Sequence, residues 1–351
     1  MNLWNNNINP HQGFNDQELK NLVDINYIIK IDKSLGCKTI IKLFWTSELY
    51  SFGKCFREQL NWPNWLPLPF YSDHGVCLLS SFQSHEKNNK SLYHLTWAYP
   101  RYKCLSKYNN KNVIRTIYPW ITYRRNKKYS IKDDAKGTII FYAHSNNGID
   151  IQEFNDDEYI KTLKSLPEKY HPLVICLHQH DINKGIHLKL RKYNIPIITM
   201  GYTYSPYFVD RFYEIVSHFK NATSSSGGSE LFTTTEFGLN YFIIGQPPTY
   251  INRSNKENEI GIMDRKYDST FIELSNMKKD IFLYGNNNIN DKKIFCEEML
   301  GLDGIDVVKL TSMRKVFFKE LIRLFPFYIK IVISHLINKL KFKFIKRKND
   351  Y

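Results

Sequence analysis

The chain has 351 residues, of which 42% are hydrophobic, so its length suits two domains and its composition excludes wholesale disorder. Its 49 basic and 34 acidic residues give a net charge of +15, which points to a polyanionic partner: nucleic acid, an anionic membrane or a phosphorylated substrate. Compositional drift is the alternative, because Asn, Lys, Ile, Tyr and Phe are all abundant. The position of the charged residues along the chain therefore decides between a polyanionic partner and compositional drift.

The six cysteines are dispersed and form no C-x-x-C pair, which disfavours a zinc ribbon or a disulfide framework. Reduced thiols in a cytosolic setting fit this pattern better. The N-terminal segment lacks the apolar core of a signal peptide, and no apolar run reaches the roughly 18 residues that predict a membrane-spanning helix. We expect a cytoplasmic protein, or one attached to a membrane from its cytosolic side.

The first 125 residues carry a weak pattern. Their candidate elements are strands at 38–45 and 74–82, an ordered loop at 61–75 and a final element at 111–120. The segment 123–137 is charged and lacks apolar periodicity, which indicates a linker. We therefore place an N-terminal domain at 1–125 and a linker at 126–136.

The second half carries a clear pattern. Predicted strands lie at 137–145, 172–181, 195–201, 222–227 and 240–245, and predicted helices lie at 155–165, 182–193, 204–219 and 229–238. The strands are nearly continuous apolar runs that alternate with helices, which is typical of a parallel sheet covered on both faces. A loop at 252–268 and helices at 269–280 and 291–300 follow. We predict a Rossmann-like domain over 137–305.

The last segment, 306–351, differs from the rest. Apolar residues recur at helical spacing in 313–325 and again beyond Pro326. Residues 312–351 hold 11 basic and two acidic residues, a net charge of +9. This pattern predicts basic amphipathic helices that lie on an anionic membrane surface. The alternative is a C-terminal helix whose apolar face packs on the domain.

A Ser/Gly loop precedes the predicted helix 229–238. Such a loop leaves backbone N–H groups at the positive end of the helix dipole, which suits a diphosphate. Gly227 and Gly228 permit close approach of the backbone, while Ser226 and Ser229 add hydroxyl donors. A plain helix cap is the alternative. The loop is neither G-x-G-x-x-G nor a Walker loop, which disfavours dehydrogenases and P-loop NTPases.

Several histidines follow predicted strands. His144 and His178 lie near the carboxyl ends of their strands, where parallel sheets bind ligands, and His74 lies in the segment SDHG. No third ligand with zinc-like spacing accompanies the pair His178 and His180, so phosphate contact or general-base chemistry is the preferred interpretation. For each of these histidines, a purely structural role is an equally good interpretation. No D-x-D motif is present and no metal is expected; no nucleic-acid-binding motif is present, and no nucleic acid is expected as a partner.

Several strings resemble a family of glycosyltransferase-like enzymes encoded with bacterial surface-polysaccharide genes, of the capsule or O-antigen type, within the GT-B superfamily. The resembling segments are 56–76, 118–125, 136–150, 166–185, 200–216 and 224–250. The resemblance implies two Rossmann-like domains that face each other across a cleft. The nucleotide-sugar donor would bind the C-terminal domain without an essential metal or other cofactor, and the acceptor would bind the N-terminal domain.

The resemblance also implies roles for single residues. The diphosphate would bind at Gly227, Gly228 and Ser229. A glutamate of the following helix would hold the ribose, and the two candidates are Glu230 and Glu236, neither at the family's usual distance from the terminal glycine of the helix.

On the N-terminal side, the resemblance requires a base that faces the cleft. Asp73 or His74 would remove the proton of the acceptor hydroxyl. Arg57 and His144 would steady the phosphate charge. The alternative for the SDHG segment is an Asx turn with Gly75 at positive φ.

These observations favour a metal-independent glycosyltransferase at the cytosolic face of the inner membrane. Its acceptor would be a lipid-linked or growing surface polysaccharide. Two alternatives stay open: an enzyme of related fold that transfers a polyol phosphate from a CDP-activated donor, and a non-catalytic, membrane-associated assembly protein.

Overall fold

A computed structural model describes residues 41–145, 149–252 and 268–349, in which helices pack around two parallel β-sheets. The N-terminal elements are α1 (Phe52–Leu60), β1 (Tyr71–Ser72), α2 (Ser84–Lys87), β2 (Tyr93–Thr96), α3 (Tyr99–Leu105), β3 (Asn112–Arg115) and α4 (Pro119–Lys127). The three strands are parallel, in the order β1-β2-β3. Helix α4 extends two residues into the predicted linker.

The second unit is built on a five-stranded parallel sheet of order β7-β6-β4-β8-β9. Its elements are β4 (Thr138–Phe141), β5 (Ile149–Glu153), α5 (Asp156–Lys164), β6 (Leu173–Cys176), α6 (Gln179–Asn183), α7 (Ile186–Leu190), β7 (Ile197–Ile198), α8 (Phe208–Val216), β8 (Asn221–Ser224), α9 (Ser229–Phe237), β9 (Asn240–Ile243) and β10 (Thr249–Asn252). The predicted fold class, two Rossmann-like α/β units, is confirmed.

The strands and helix ends of this unit form for the reasons that the pattern indicates. All four residues of β6 are buried, as expected for a strand covered on both faces. The Asn155 side chain caps α5 by accepting the backbone N–H of Glu158. Helix α9 ends at Gly238, whose φ of 111° is open to glycine without strain.

After the second sheet the chain forms α10 (Ser269–Phe282), α11 (Ile289–Leu300) and α12 (Arg314–Asn349), and returns to the N-terminal unit. The Tyr118 N–H donates to the Leu300 carbonyl (2.9 Å), and the Arg115 guanidinium binds Asp303 (2.7 and 2.9 Å). Because Arg115 is buried, this ion pair ties the C-terminal segment firmly to β3. Within the described ranges, no helix has the length and apolarity needed to span a membrane.

Helix α12 presents two apolar faces, and Pro326 lies inside it. The first face packs on the body through Phe317, Leu321 and Leu324, which are all buried. A second stripe, at spacings of three and four residues, is exposed: Phe318, Ile322, Phe325, Ile329, Ile333 and Leu336. Docking therefore accounts for one face of the predicted amphipathic pattern and leaves the other on the surface.

The predictions for the first half were mostly wrong. Residues 74–82 hold no strand, and the described part of 38–45 holds none either; β2 was not predicted, and β1 lies in the predicted loop 61–75. Strands β5 and β10, which pair antiparallel, were also missed. Most of the predicted loop 252–268 lies outside the described residues.

Candidate active site

The carboxyl edge of the five-stranded sheet gathers most of the residues singled out by the sequence. The first strand of the unit, β4, lies between β6 and β8, so the strand order reverses between β4 and β8, where α/β sheets bind ligands. His144 lies three residues after β4, His178 two residues after β6, and Ser226 two residues after β8. The structure therefore brings these three residues to one edge, as the sequence predicts.

The Ser/Gly loop between β8 and α9 satisfies part of its own backbone. The Ser224 hydroxyl accepts the Gly227 N–H (2.7 Å), and the Glu230 carboxylate accepts the Gly228 N–H (2.7 Å). The Tyr241 hydroxyl lies within hydrogen-bond distance of both acceptors, at 2.8 Å from the Ser224 hydroxyl and 3.1 Å from the Glu230 carboxylate. A diphosphate at the Gly228 N–H would therefore have to displace the Glu230 carboxylate.

Gly227 has a φ of 69°, and a Cβ there would lie 2.6 Å from the Leu231 side chain. A residue other than glycine would therefore be strained twice, by backbone conformation and by contact. Both the sharp turn and the tight packing of the loop on α9 depend on this position.

The SDHG segment, which follows β1, docks on the first residue of α9. The backbone N–H of Val76 donates to the Ser229 hydroxyl (2.8 Å), and a Cβ on Gly75 would lie 2.5 Å from the same oxygen. Gly75 does not have a positive φ, so the Asx-turn alternative does not explain this glycine. The close approach of the two units explains why residue 75 is a glycine. The Trp97 indole N–H holds the Gly75 carbonyl (2.9 Å).

Asp73 lies at the centre of a buried polar network. Its carboxylate accepts hydrogen bonds from His94 Nε2 (2.9 Å), Thr96 Oγ1 (2.7 Å) and Arg101 Nε (3.0 and 3.1 Å). Burial alone raises the pKa of Asp73, but Arg101 and His94 outweigh it and lower the pKa to about 2. The carboxylate is thus ionised, fully partnered and 1% exposed, which suits a positioning residue.

The same network contains a metal-like grouping. Ligand atoms of Asp73, Glu86 and His94 lie within 4.8 Å of one another. The Arg101 guanidinium binds both carboxylates, with two contacts of 2.8 Å to Glu86. Arg101 therefore supplies the positive charge at this point, and the grouping is a buried ion-pair network.

His74 is the accessible member of the SDHG segment. Its ring lies 5.3 Å from the ring of Trp45, and Trp45 lies 5.4 Å from His85. Although the side chain is open to solvent, the surrounding protein desolvates the ring and, with His85, lowers the pKa of His74. A neutral imidazole at neutral pH is the form that accepts a proton.

Three imidazoles stack at the carboxyl edge of the sheet. The His178 ring lies 4.7 Å from His144 and 5.0 Å from His180. Burial, with these two rings, lowers the pKa of His178 well below its ordinary value. His178 Nδ1 accepts the His180 N–H (3.2 Å) at the start of α6, which places the proton of the neutral ring on Nε2. Nε2 is buried and has no partner among the described residues, so it is a donor available to a ligand.

Two predicted residues lie elsewhere. Arg57 is buried on α1, where its guanidinium binds Glu48 in a bidentate pair (2.9 and 2.6 Å) and the Leu66 carbonyl. Glu236 lies in the last turn of α9 and binds Arg124 (2.7 Å). Seven residues of helix, about 10 Å, separate Glu236 from the loop end of α9.

Comparisons with known proteins give only distant structural likenesses. No family model matches the chain, and no curated protein matches it in sequence. The wall teichoic acid polymerase TagF aligns at TM-score 0.40 and 10% identity, over 74% of this chain and 69% of that one. UDP-GlcNAc 2-epimerase from Neisseria meningitidis, bound to UDP-GlcNAc, aligns at TM-score 0.36 and 12% identity, over 89% of this chain and 83% of that one. The lipopolysaccharide outer core galactosyltransferase WaaB aligns at TM-score 0.26 and 12% identity, over 82% of each chain.

Sequence reasoning missed two aromatic residues near these histidines. Trp45 contacts His74, and Tyr50 lies edge-on to His178 with ring centroids 6.3 Å apart. Tyr50 is held there by a hydrogen bond from its backbone N–H to the Thr203 carbonyl (2.6 Å), which joins the two units. Trp45 ends the run 38–45, which was predicted to be a strand, and Tyr50 lies in a stretch without a motif; only the fold reveals that either residue contacts a histidine.

Proposed function

We propose that this chain is a glycosyltransferase that moves a sugar from a nucleotide-sugar donor to a surface-glycan acceptor. The observation that carries the proposal is the hydrogen bond between Val76 and Ser229 (2.8 Å). It brings the SDHG segment, with the candidate base His74, onto the N-terminus of the helix that follows the Ser/Gly loop. A base and an anion-binding helix end at one place are what transfer from a nucleoside diphosphate requires.

In this proposal the donor diphosphate binds at the first turn of α9, where the helix dipole favours negative charge. The His178 Nε2–H, which follows β6, donates a hydrogen bond to an oxygen of the nucleotide sugar; β4 lies between β6 and β8, the strand that leads into α9. His74 takes the proton of the acceptor hydroxyl as its oxygen bonds to the anomeric carbon. The bond from that carbon to the diphosphate oxygen breaks, and the nucleoside diphosphate leaves. Asp73 and Arg101 hold the SDHG segment in position.

The test compares His74→Gln with the wild-type chain for nucleotide release from UDP-, GDP- and CDP-activated donors. We expect turnover to fall by roughly 100-fold or more, because a general base supplies about that factor. UDP binding should be unchanged, since His74 is not among the donor contacts. His335→Gln, an exposed histidine on α12, is the control. Full turnover of His74→Gln would contradict the assignment of the base.

The same assay separates the two alternatives. A CDP-polyol phosphotransferase would release CMP, because the bond that breaks lies between the two phosphorus centres. A non-catalytic assembly protein would bind a nucleotide and release none. Release of UDP, GDP or CDP with a glycosylated product supports glycosyl transfer.

We further propose that α12 holds the enzyme on an anionic membrane surface, at the cytosolic face of the inner membrane. The exposed stripe supports this, because Lys319 and Lys330 border one side of it and both are exposed. Apolar side chains beside basic ones match the boundary between acyl chains and anionic headgroups. Positive charge on this helix complements such a surface better than it complements the basic body of a second copy.

Cosedimentation of the full chain with vesicles tests this. We expect binding to phosphatidylcholine vesicles that contain phosphatidylglycerol, and binding about tenfold weaker for Ile322→Asn/Ile329→Asn, which removes two apolar contacts. Ile294→Asn, an equally exposed site on α11, is the control. Truncation before α12 is unsuitable because it also removes the buried Phe317 and Leu321. Unchanged vesicle binding, or concentration-dependent self-association that the double variant abolishes, would overturn the proposal.

A further inference from the structure

A cavity of about 310 Å³ lies beside the candidate base, between the N-terminal unit and α12. Its walls include the aromatic side chains of Trp45, Tyr71 and Phe327, and its rim includes His85, Asn88 and Lys90. The volume is at the small end of ligand pockets, which suits a compact group better than a whole nucleotide.

Trp45 connects this cavity to the candidate active site. Its side chain is 39% exposed, and its ring contacts both His74 and His85, at 5.3 and 5.4 Å; those two imidazole rings lie 6.4 Å apart. His85 is held in place by the Tyr71 hydroxyl at Nδ1 (2.9 Å) and by the Gln83 side chain at Nε2 (2.8 Å). A group bound in the cavity would therefore lie against Trp45 and His85, the two rings that border His74.

The lining combines flat aromatic surface with uncharged and cationic polar groups, and no carboxylate faces the cavity among its described lining residues. Aromatic rings cover the C–H face of a sugar, and amide and ammonium groups bond to its hydroxyls. We propose that this cavity binds the terminal sugar residue of the acceptor glycan, stacked on Trp45. This inference depends on the proposed function, because it makes the cavity the acceptor subsite of that reaction.

A lipid chain fits this place less well. Phe327 lies two residues from both Phe325 and Ile329, hence about 200° around α12 from the exposed stripe that those residues belong to. The docked face of the helix separates the cavity from the stripe. The cavity is therefore not a continuation of the surface that we assign to the membrane.

Saturation-transfer NMR on the full chain tests the assignment with D-glucose, D-galactose, N-acetylglucosamine and N-acetylgalactosamine as probes. Farnesyl phosphate serves as the lipid probe. We expect at least one sugar to bind, binding about tenfold weaker in Trp45→Ala, and partial retention in Trp45→Phe, since the stacking surface is what the first variant removes. Trp65→Ala, which changes an indole that is 73% exposed, is the control.

Two outcomes would overturn the assignment: no sugar signal that depends on Trp45, or a Trp45-dependent signal from farnesyl phosphate alone. UDP binding to the same samples is measured separately. Trp45→Ala should bind UDP as the wild-type chain does. If the wild-type chain binds no nucleotide, the proposed function fails, whereas the sugar result still decides the chemistry of the cavity.

Discussion

Replacement of Glu230 by Gln should tighten nucleotide binding. In the structure the Glu230 carboxylate accepts the Gly228 N–H at 2.7 Å, the place where a phosphate oxygen would bind. Gly228 is exposed, so a ligand can reach this N–H. The substitution keeps the size of the side chain and removes its charge, so it separates the charge repulsion between Glu230 and a phosphate from packing.

The size of the effect follows from the distance between the charges. A carboxylate displaced by a phosphate would stay roughly 5 Å from it, and two unit charges at that separation repel by about 3 kcal/mol at an effective dielectric constant near 20. Exposure to solvent and salt reduces this by about half. A remaining difference of about 1.5 kcal/mol corresponds to roughly tenfold tighter binding.

Isothermal titration calorimetry with UDP and CDP measures the change, at low salt and again at high salt, where the difference should shrink. Glu168→Gln, which removes an exposed carboxylate far along the sequence from the loop, is the matched control. If Glu230 instead holds the ribose, Glu230→Gln will bind UDP more weakly. That result would refute the competition inferred here and favour the role that the family resemblance implies.

Three further substitutions test the surroundings of the site. Gly75→Ala should lower the free energy of unfolding by about 1–3 kcal/mol, because the new Cβ would lie 2.5 Å from the Ser229 hydroxyl. Adding Ser229→Ala to the same chain should restore the free energy of unfolding. If urea unfolding shows no such rescue, the contact is contradicted. His178 has a pKa well below its ordinary value, so below about pH 6.5 the unfolded chain binds a proton that the folded chain does not, and stability should fall as the pH falls. His178→Asn keeps a cap acceptor for α6 and should flatten this dependence in urea titrations at pH 7.5 and 5.5; an equally steep dependence would show that other groups cause it. Asp73→Asn should destabilise the fold by about 3 kcal/mol, because it removes the buried anion from His94 and one of the two carboxylates that Arg101 binds, whereas an unchanged melting temperature would argue against the positioning role.

The second unit was predictable because the residue pattern of each strand agrees with the position of that strand in the sheet. Strands β4, β6 and β8 are short apolar or small-residue runs, and the end of α9 is marked by Gly238. A parallel sheet buried on both faces leaves this pattern in the sequence, since neither face of a strand has to meet solvent. The position of His144, His178 and the Ser/Gly loop at one edge follows from the same pattern.

The first unit was not predictable because its core is partly polar. Strand β2 carries the buried His94 and Thr96, which bond to Asp73, and Arg101 on α3 is fully buried as well. These residues interrupt the apolar periodicity by which strands are recognised. The pairing of β5 with β10 was hidden for another reason, since each strand finds its partner about a hundred residues away.

The contact between SDHG and Ser229 was beyond sequence reasoning in the same way. Val76 and Ser229 are 153 residues apart, and neither side of the contact carries a pattern that predicts the other. Only the family resemblance placed both segments in one cleft. The structure adds the atoms that meet and the reason that Gly75 is glycine.

The distribution of charge limits how a phosphorylated donor can be held. Arg57, Arg101, Arg115 and Arg124 each form an ion pair with a carboxylate inside the fold, so their charge is already neutralised. Backbone N–H groups at the start of α9 and a neutral His178 are uncharged donors at this site, and the Lys278 ammonium, which donates to the Gly227 carbonyl at 2.6 Å, adds a cation beside the loop. The uncharged donors bind a diphosphate with little dependence on salt, because few mobile ions are released. Exposed basic residues of α12 such as Lys319 and Lys330 are instead consistent with the membrane contact proposed for this helix.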